Sequence, residues 1–146
     1  VPMSPGTWTE LFFHDEAVAL AAGHRPCALC RREADRAFQG AWVRAGLGET
    51  RAPAMDRVLH VARTMRGANG VTHRARAEDL PDGTMIAQDD GAALVLGRVI
   101  VAFRETGYGA PAPRPSGEVG VLTPAPMIAV LNAGYHPALH PALSKG

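Results

Sequence analysis

The spacing of the hydrophobic residues changes near residue 70, and this change constrains the fold more than any other feature of the sequence. Before that point they recur every three to four residues, which predicts amphipathic helices, whereas after it they alternate or form short apolar runs, which predict strands. The chain has 146 residues, 47% of them hydrophobic, which is enough to bury one core. We therefore expect a single α+β domain over residues 1–146, with a helical half (1–76) and a half that holds a β-meander and a last helix (77–146).

Three helices are predicted in the first half and one near the end of the chain. The first covers residues 15–22, with Asp15 and Glu16 at its favourable N-terminal end and Gly23 as the residue that stops it. Thr123 and Pro124 are the predicted N-cap and first residue of the last helix. The second and third helices are predicted at 28–46 and 55–65, with apolar faces formed by Leu29, Phe38, Trp42 and Val43 and by Met55, Val58, Leu59 and Ala62.

The second half contains short segments that are typical of strands. Residues 84–88, 92–96 and 98–103 predict a three-stranded meander with a turn at 89–91, and residues 118–122 predict a fourth strand. The segment 107–117 is rich in proline and glycine and is predicted to be an irregular connector. The expected sheet is therefore small and antiparallel, with about four strands.

Charge is distributed unevenly along the chain. Residues 1–76 contain 11 arginines and seven acidic residues, whereas residues 77–146 contain four basic and seven acidic residues. The positive half makes nucleic acid a partner that the sequence allows, although the formal net charge of the whole chain is only +1. No apolar run approaches the roughly 18 residues that a membrane span needs, and no secretion signal is present, so a cytoplasmic location without a membrane partner is expected.

The most specific chemical feature is the pair Cys27 and Cys30. Two thiolates at Cys-x-x-Cys spacing chelate one soft or borderline cation, and Zn²⁺ is the cofactor that we predict. A thioredoxin-like redox site is disfavoured because a predicted helix, and not a strand, precedes the pair. Buried or free thiols that bind no metal are a further alternative. Two cysteines supply half of a tetrahedral shell, and the other candidates are His14, His24, His60, His73, His136 and His140.

Two of these histidines, His60 and His73, are the ones that we predict as further ligands. They flank a glycine-rich loop at a spacing of 13 residues, which is close to the spacing in metal-binding turns. In contrast, Pro137 and Pro141 prevent the helical i, i+4 geometry that would bring the last two histidines onto one ion. Each histidine taken alone also fits a residue at the edge of the core.

The residues around the cysteines resemble a known family. Phe13, Glu16, Ala17 and the run from Ala21 to Arg31 are similar to the second half of the zinc knuckle in the Ada-type metal-binding domain of bacterial DNA alkylation-repair regulators. That pattern has a short helix followed by Ala-Gly-aromatic-Arg-Pro-Cys-x-x-Cys, and here it covers about an eighth of the chain. The resemblance implies a zinc-ligand role for Cys27 and Cys30 only. The family's methyl-accepting cysteine belongs to an earlier pair whose position would fall at or before Val1, so methyl transfer is not implied.

These observations leave two main classes of function. The first is a structural or binding module that holds zinc and is associated with nucleic acid. The alternative is a metal-dependent hydrolase that uses the same cysteines with one or two histidines, since three protein ligands and a water favour catalysis. Two further patterns are assigned to structure and not to function. The aromatic residues of the first half are predicted to form a core and not a base-stacking platform; they are Trp8, Phe12, Phe13, Phe38 and Trp42. The alternating charges of the second helix predict a solvated face, formed by Arg31, Arg32, Glu33, Asp35 and Arg36.

Overall fold

A computed structural model describes residues 15–26, 32–64, 67, 70–88, 91–104 and 107–139. The described residues form an α+β fold, as predicted, with four α-helices and six strands. None of these helices has both the length and the apolar character that crossing a bilayer requires. In chain order the elements are α1 (Glu16–Ala21), α2 (Arg32–Arg44), α3 (Ala52–Thr64), β1 (His73–Arg76), β2 (Met85–Gln88), β3 (Gly91–Leu96), β4 (Val99–Arg104), β5 (Gly107–Pro113), β6 (Glu118–Val121) and α4 (Ala125–Asn132).

The six strands form one antiparallel sheet with the order β1-β6-β2-β3-β4-β5. The predicted meander is present as β2, β3 and β4, and the predicted fourth strand is β6. The sheet continues beyond the prediction at both edges, because β1 pairs with β6 and β5 pairs with β4. Since β1 lies before residue 77, the first half of the chain also contributes to the sheet.

Strand β5 corrects the prediction that residues 107–117 are irregular. Its prolines, Pro111 and Pro113, lie opposite Val101 and Val99 of β4. Proline has no N–H to donate, so it is excluded from central strands but is compatible with an edge strand, whose outward positions make no ladder bond. Because β5 is the last strand of the sheet, it accommodates both prolines, and they protect this edge from pairing with another chain.

Helix α1 packs between the sheet and the other helices. Ala17, Val18 and Ala21 belong to a buried cluster with one face of the sheet, whereas Leu20 belongs to the cluster formed by α2, α3 and α4. Residues on the opposite face of the sheet form a third cluster. Because successive side chains of a strand point to opposite faces, adjacent residues of one strand pack in different clusters. The members of that third cluster are Leu80, Ile86, Ala93, Val95, Ile100 and Val121.

The helical core is aromatic at its centre. Phe38 and Trp42 of α2 are fully buried, and the ring of Phe38 lies edge-on to Tyr135, with their centroids 5.5 Å apart. Burial confirms that these two residues belong to a core and not to a base-stacking surface; Trp8, Phe12 and Phe13 lie outside the described residues. The prediction for Val43 is wrong, because its side chain is 61% exposed at the margin of the apolar face.

Helix α4 begins one residue later than predicted, and Thr123 has a different role. The N-cap position is Pro124, which makes no side-chain cap. The buried Thr123 hydroxyl instead accepts a hydrogen bond of 2.9 Å from the backbone N–H of Met85. This bond joins the start of α4 to strand β2.

The buried face of α3 gives a test of the helical core. Met55 and Leu59 are each 1% exposed, as their predicted positions require, whereas Val61 is 59% exposed. We expect Leu59→Ala to lower the free energy of unfolding by about 2–5 kcal/mol, because it leaves a cavity. Val61→Ala on the same helix is the control and should change it by less than about 0.5 kcal/mol. Equal effects of the two variants in urea denaturation would contradict this packing.

Candidate metal centre

The chain enters the cysteine segment through a well-defined helix stop. Gly23, with φ of 87°, donates to the carbonyl of Leu20 at 2.9 Å, and the N–H of His24 donates to the carbonyl of Ala19 at 2.9 Å. These two bonds are the Schellman pattern, in which a left-handed residue satisfies the last carbonyl groups of a helix. The predicted role of Gly23 is confirmed, and the path of the chain beyond α1 is fixed.

The next residues are held against α3. The guanidinium of Arg25 donates to both carboxylate oxygens of Asp56, with Nε–Oδ1 at 2.8 Å and Nη2–Oδ2 at 3.3 Å. The Arg25 side chain is 20% exposed and Asp56 is 55% exposed, so solvent screens this pair only in part. Pro26 follows and is buried. The backbone just before Cys27 is therefore anchored by an ion pair and by packing.

The two cysteines themselves, with residues 27–31 as a whole, lie outside the described residues. The chain is described again from Arg32, where α2 begins. The predicted arrangement of a helix, a cysteine-bearing segment and a second helix thus has both of its flanking helices in place. In the described ranges, which exclude the cysteines, no three His, Cys, Asp or Glu side chains are grouped closely enough to hold a metal ion.

The two predicted histidine ligands lie on separate elements. His60 is on the exposed face of α3, one helical turn after Asp56. His73 is half-buried in the edge strand β1, opposite Val121. Shared ligation of one ion by this pair stays a prediction. The other histidines of the described chain are His24, which is half-buried beyond the helix stop, and the exposed His136.

The Thr72 hydroxyl joins His73 to the segment that leads into α4. It lies 2.9 Å from His73 Nδ1, 3.0 Å from the carbonyl oxygen of Val121 and 3.3 Å from that of Thr123. Because the ring is hydrogen-bonded through Nδ1, a metal ion or a proton would bind at Nε2.

Burial lowers the pKa of His73 below its ordinary value of 6.5. The unfolded chain then binds a proton at a higher pH than the folded chain does, so this residue weakens folding as the pH falls below 6.5. We expect the His73 ring to titrate below pH 6.5 by NMR. We also expect the free energy of unfolding of His73→Gln to decrease less than that of the unmodified chain when the pH falls below 6.5. A His73 midpoint above 6.5 would contradict the assignment.

One acidic residue corrects the prediction of a solvated face on α2. Arg32, Glu33 and Arg36 are exposed as expected, but Asp35 is only 7% exposed. It precedes Phe38 by three residues and Trp42 by seven, so it lies on the buried stripe of the helix. This spacing is the sequence signal that indicates the burial of Asp35. The prediction followed the alternating charges instead, which are typical of an exposed helix face.

The helices also present cations that have no ionic partner. Arg32, Arg36 and Arg57 are exposed, and no ion pair or hydrogen bond involves their side chains in the part of the chain that the structure describes. Other arginines are occupied: Arg51 pairs with Glu49, and Arg44 donates to the carbonyl of Ala133. The positive half of the sequence thus leaves free guanidinium groups on α2 and α3.

Comparison with known proteins adds no further constraint. No family model matches this chain, and no curated protein or solved structure matches it either.

Proposed function

We propose that this protein is a metal-binding module in which Cys27 and Cys30 hold zinc between α1 and α2, and that its partner is a nucleic acid. The observation that supports the proposal most strongly is the anchoring of the chain before Cys27. The Schellman stop at Gly23 and the bidentate pair of Arg25 with Asp56 fix where this segment leaves the core. A preorganised entry reduces the conformational entropy that two thiolates lose when they bind one ion.

The start of α2 supports thiolate chemistry in the same segment. Cys30 precedes Arg32, the first residue of α2, by two positions. Helix N-termini carry a partial positive charge and unpaired N–H groups, which favour the thiolate over the thiol. Zinc ligands must be deprotonated, so a cysteine this close in sequence to the start of a helix suits zinc binding at neutral pH.

Metal analysis tests this proposal directly. We expect the purified chain to contain about one zinc ion, as a structural site requires, and Cys27→Ser with Cys30→Ser to abolish it. His60→Gln and His73→Gln should each weaken binding if these residues complete the shell, and the exposed His136→Gln is the control. A folded, zinc-free protein with two titratable thiols would refute the zinc site.

The free arginines support the choice of nucleic acid as the partner. Arg32 and Arg36 are one turn apart on α2, and Arg57 is on α3, which packs with α2 against α4. Unpaired exposed guanidinium groups bind phosphates without first breaking an ion pair. Contacts of this kind give affinity that does not depend on sequence and that decreases with salt.

Binding to single- and double-stranded oligonucleotides at several salt concentrations tests the partner. Combined Arg32→Ala and Arg36→Ala substitutions should weaken binding and reduce the salt slope by about one for each phosphate that the variant no longer neutralises. Arg98→Ala with Arg104→Ala is the matched control, because both residues are exposed arginines of the sheet half without ion pairs in the described ranges. Equal reductions in affinity in the two double variants, or binding with no salt dependence, would contradict an interface on these helices.

A further inference from the structure

Strand β5 exposes an apolar stretch at the edge of the sheet. All five residues from Gly109 to Pro113 are exposed, and none of them has a polar side chain. Proteins rarely leave apolar edge strands open to solvent, and an exposed apolar surface often marks a site that contacts another molecule. The stretch is therefore a candidate contact surface.

Both ends of this stretch are held in place. Before it, the ring of Tyr108 packs on Phe103, with the centroids 5.1 Å apart. After it, the N–H of Arg114 donates to the carbonyl of Arg98 at 2.9 Å, and the Arg114 guanidinium donates to the carbonyl of Leu80. In between, each proline restricts its own backbone and that of the residue before it to extended conformations. A ligand that binds here meets a surface that has already lost its conformational entropy.

The outer edge of β5 offers hydrogen-bond acceptors without donors. In an antiparallel pair, hydrogen-bonded positions alternate with positions whose N–H and C=O groups point away from the neighbouring strand. Arg114 is a bonded position, because it donates to Arg98 of β4, so Pro113 and Pro111 are at the alternate positions. Their carbonyl groups are directed outward, and proline has no N–H. This edge can accept hydrogen bonds from a ligand, but it cannot form the two-way ladder of a regular strand pair.

A recess of about 190 Å³ lies beside this edge, on the face of the sheet that carries the third cluster. A cavity of about 150 Å³ with an apolar lining is large enough to hold a benzene ring, so the recess accommodates one aromatic side chain. Gln88 and Arg104 add polar groups to its wall, and a guanidinium binds the face of an aromatic ring. The apolar side chains of this face that line the recess are Ala93, Ile100, Ala102, Ala110 and Ala112.

The surface has a cation near each end. Arg104 lies opposite Gly107, where β5 begins, and Arg98 lies opposite Arg114, just after β5 ends. Both side chains are exposed, and neither makes an ion pair within the described ranges. A ligand with negative charges on both sides of an aromatic group matches this arrangement.

We propose that β5 and the recess beside it bind an acidic, extended peptide segment of another protein, and that this segment carries an aromatic side chain. The aromatic ring fills the recess, the peptide N–H groups donate to the carbonyls of Pro111 and Pro113, and the carboxylates pair with Arg98 and Arg104. The hydrogen bonds run in one direction only, from the ligand to β5. This site is independent of Cys27 and Cys30.

NMR titration of the isotopically labelled chain with three blocked peptides tests the proposal. The probes are Asp-Asp-Trp-Asp-Asp, the same peptide with Ala in place of Trp, and Lys-Lys-Trp-Lys-Lys. We expect the first peptide to shift the amide signals of Gly109, Ala110, Ala112 and Arg114. It should bind at least about tenfold more tightly than either of the other two, since one lacks the ring and the other has the wrong charge.

Variants of the recess and of its charges give matched controls. Ala110→Leu fills the recess from an exposed position and should weaken binding of the acidic Trp peptide at least about tenfold, whereas Ala52→Leu, at an exposed alanine of α3, should not. Arg98→Ala with Arg104→Ala should also weaken it and reduce its salt dependence. Arg32→Ala with Arg36→Ala should leave it unchanged, the reverse of what is expected for oligonucleotides.

The contrary outcomes are equally specific. If no peptide shifts the β5 amides, the prolines serve only to keep this edge from pairing, and the proposal is overturned. Equal binding of the three peptides, shifts confined to α2 and α3, or full affinity in Ala110→Leu would also overturn it. None of these results bears on zinc binding by the cysteines.

Discussion

The position of the short helix α1 determines much of the rest of the structure, and Glu16 holds that helix in place. Its backbone N–H donates to the carbonyl of Ala138 at 3.0 Å, while its carboxylate accepts from Tyr135 and from the N–H of Ala138. A helix of six residues is not stable alone, so it depends on such contacts. Glu16 thus holds α1 against residues 135–138. One side of α1 packs on the sheet, and the other packs on α2, α3 and α4. The path of the chain from α1 to Pro26 follows from this position.

Much of the fold could be predicted because local chemistry agrees with the tertiary structure. Gly23 ends α1, as the sequence indicates, and Asp15, which was predicted as the first residue of this helix, caps it by accepting a hydrogen bond from the N–H of Val18. Strands β2 to β4 have apolar runs that are typical of buried strands. The edge strands escaped prediction for a physical reason: β1 is half-buried and carries alternating arginines, and β5 contains prolines that only an edge tolerates.

The candidate site was predictable only in part. The motif identifies Cys27 and Cys30, but a contact with a residue of another element depends on tertiary packing, which periodicity does not encode. Asp35 was missed for a different reason: its spacing from Phe38 and Trp42 places it on the buried stripe of α2, but in sequence it is one of several alternating charges. The pairing of Arg25 with Asp56, 31 residues away, is likewise invisible to local patterns.

X-ray absorption spectroscopy at the zinc edge of the purified protein decides whether the two cysteines hold zinc, because it reports the atoms bound to the metal. If Cys27 and Cys30 are ligands, the spectrum will show two sulfur neighbours at about 2.3 Å and nitrogen or oxygen neighbours at about 2.0–2.2 Å, in four-coordinate geometry. A zinc ion surrounded only by oxygen and nitrogen, or a folded protein that retains no zinc, would rule out the cysteine site.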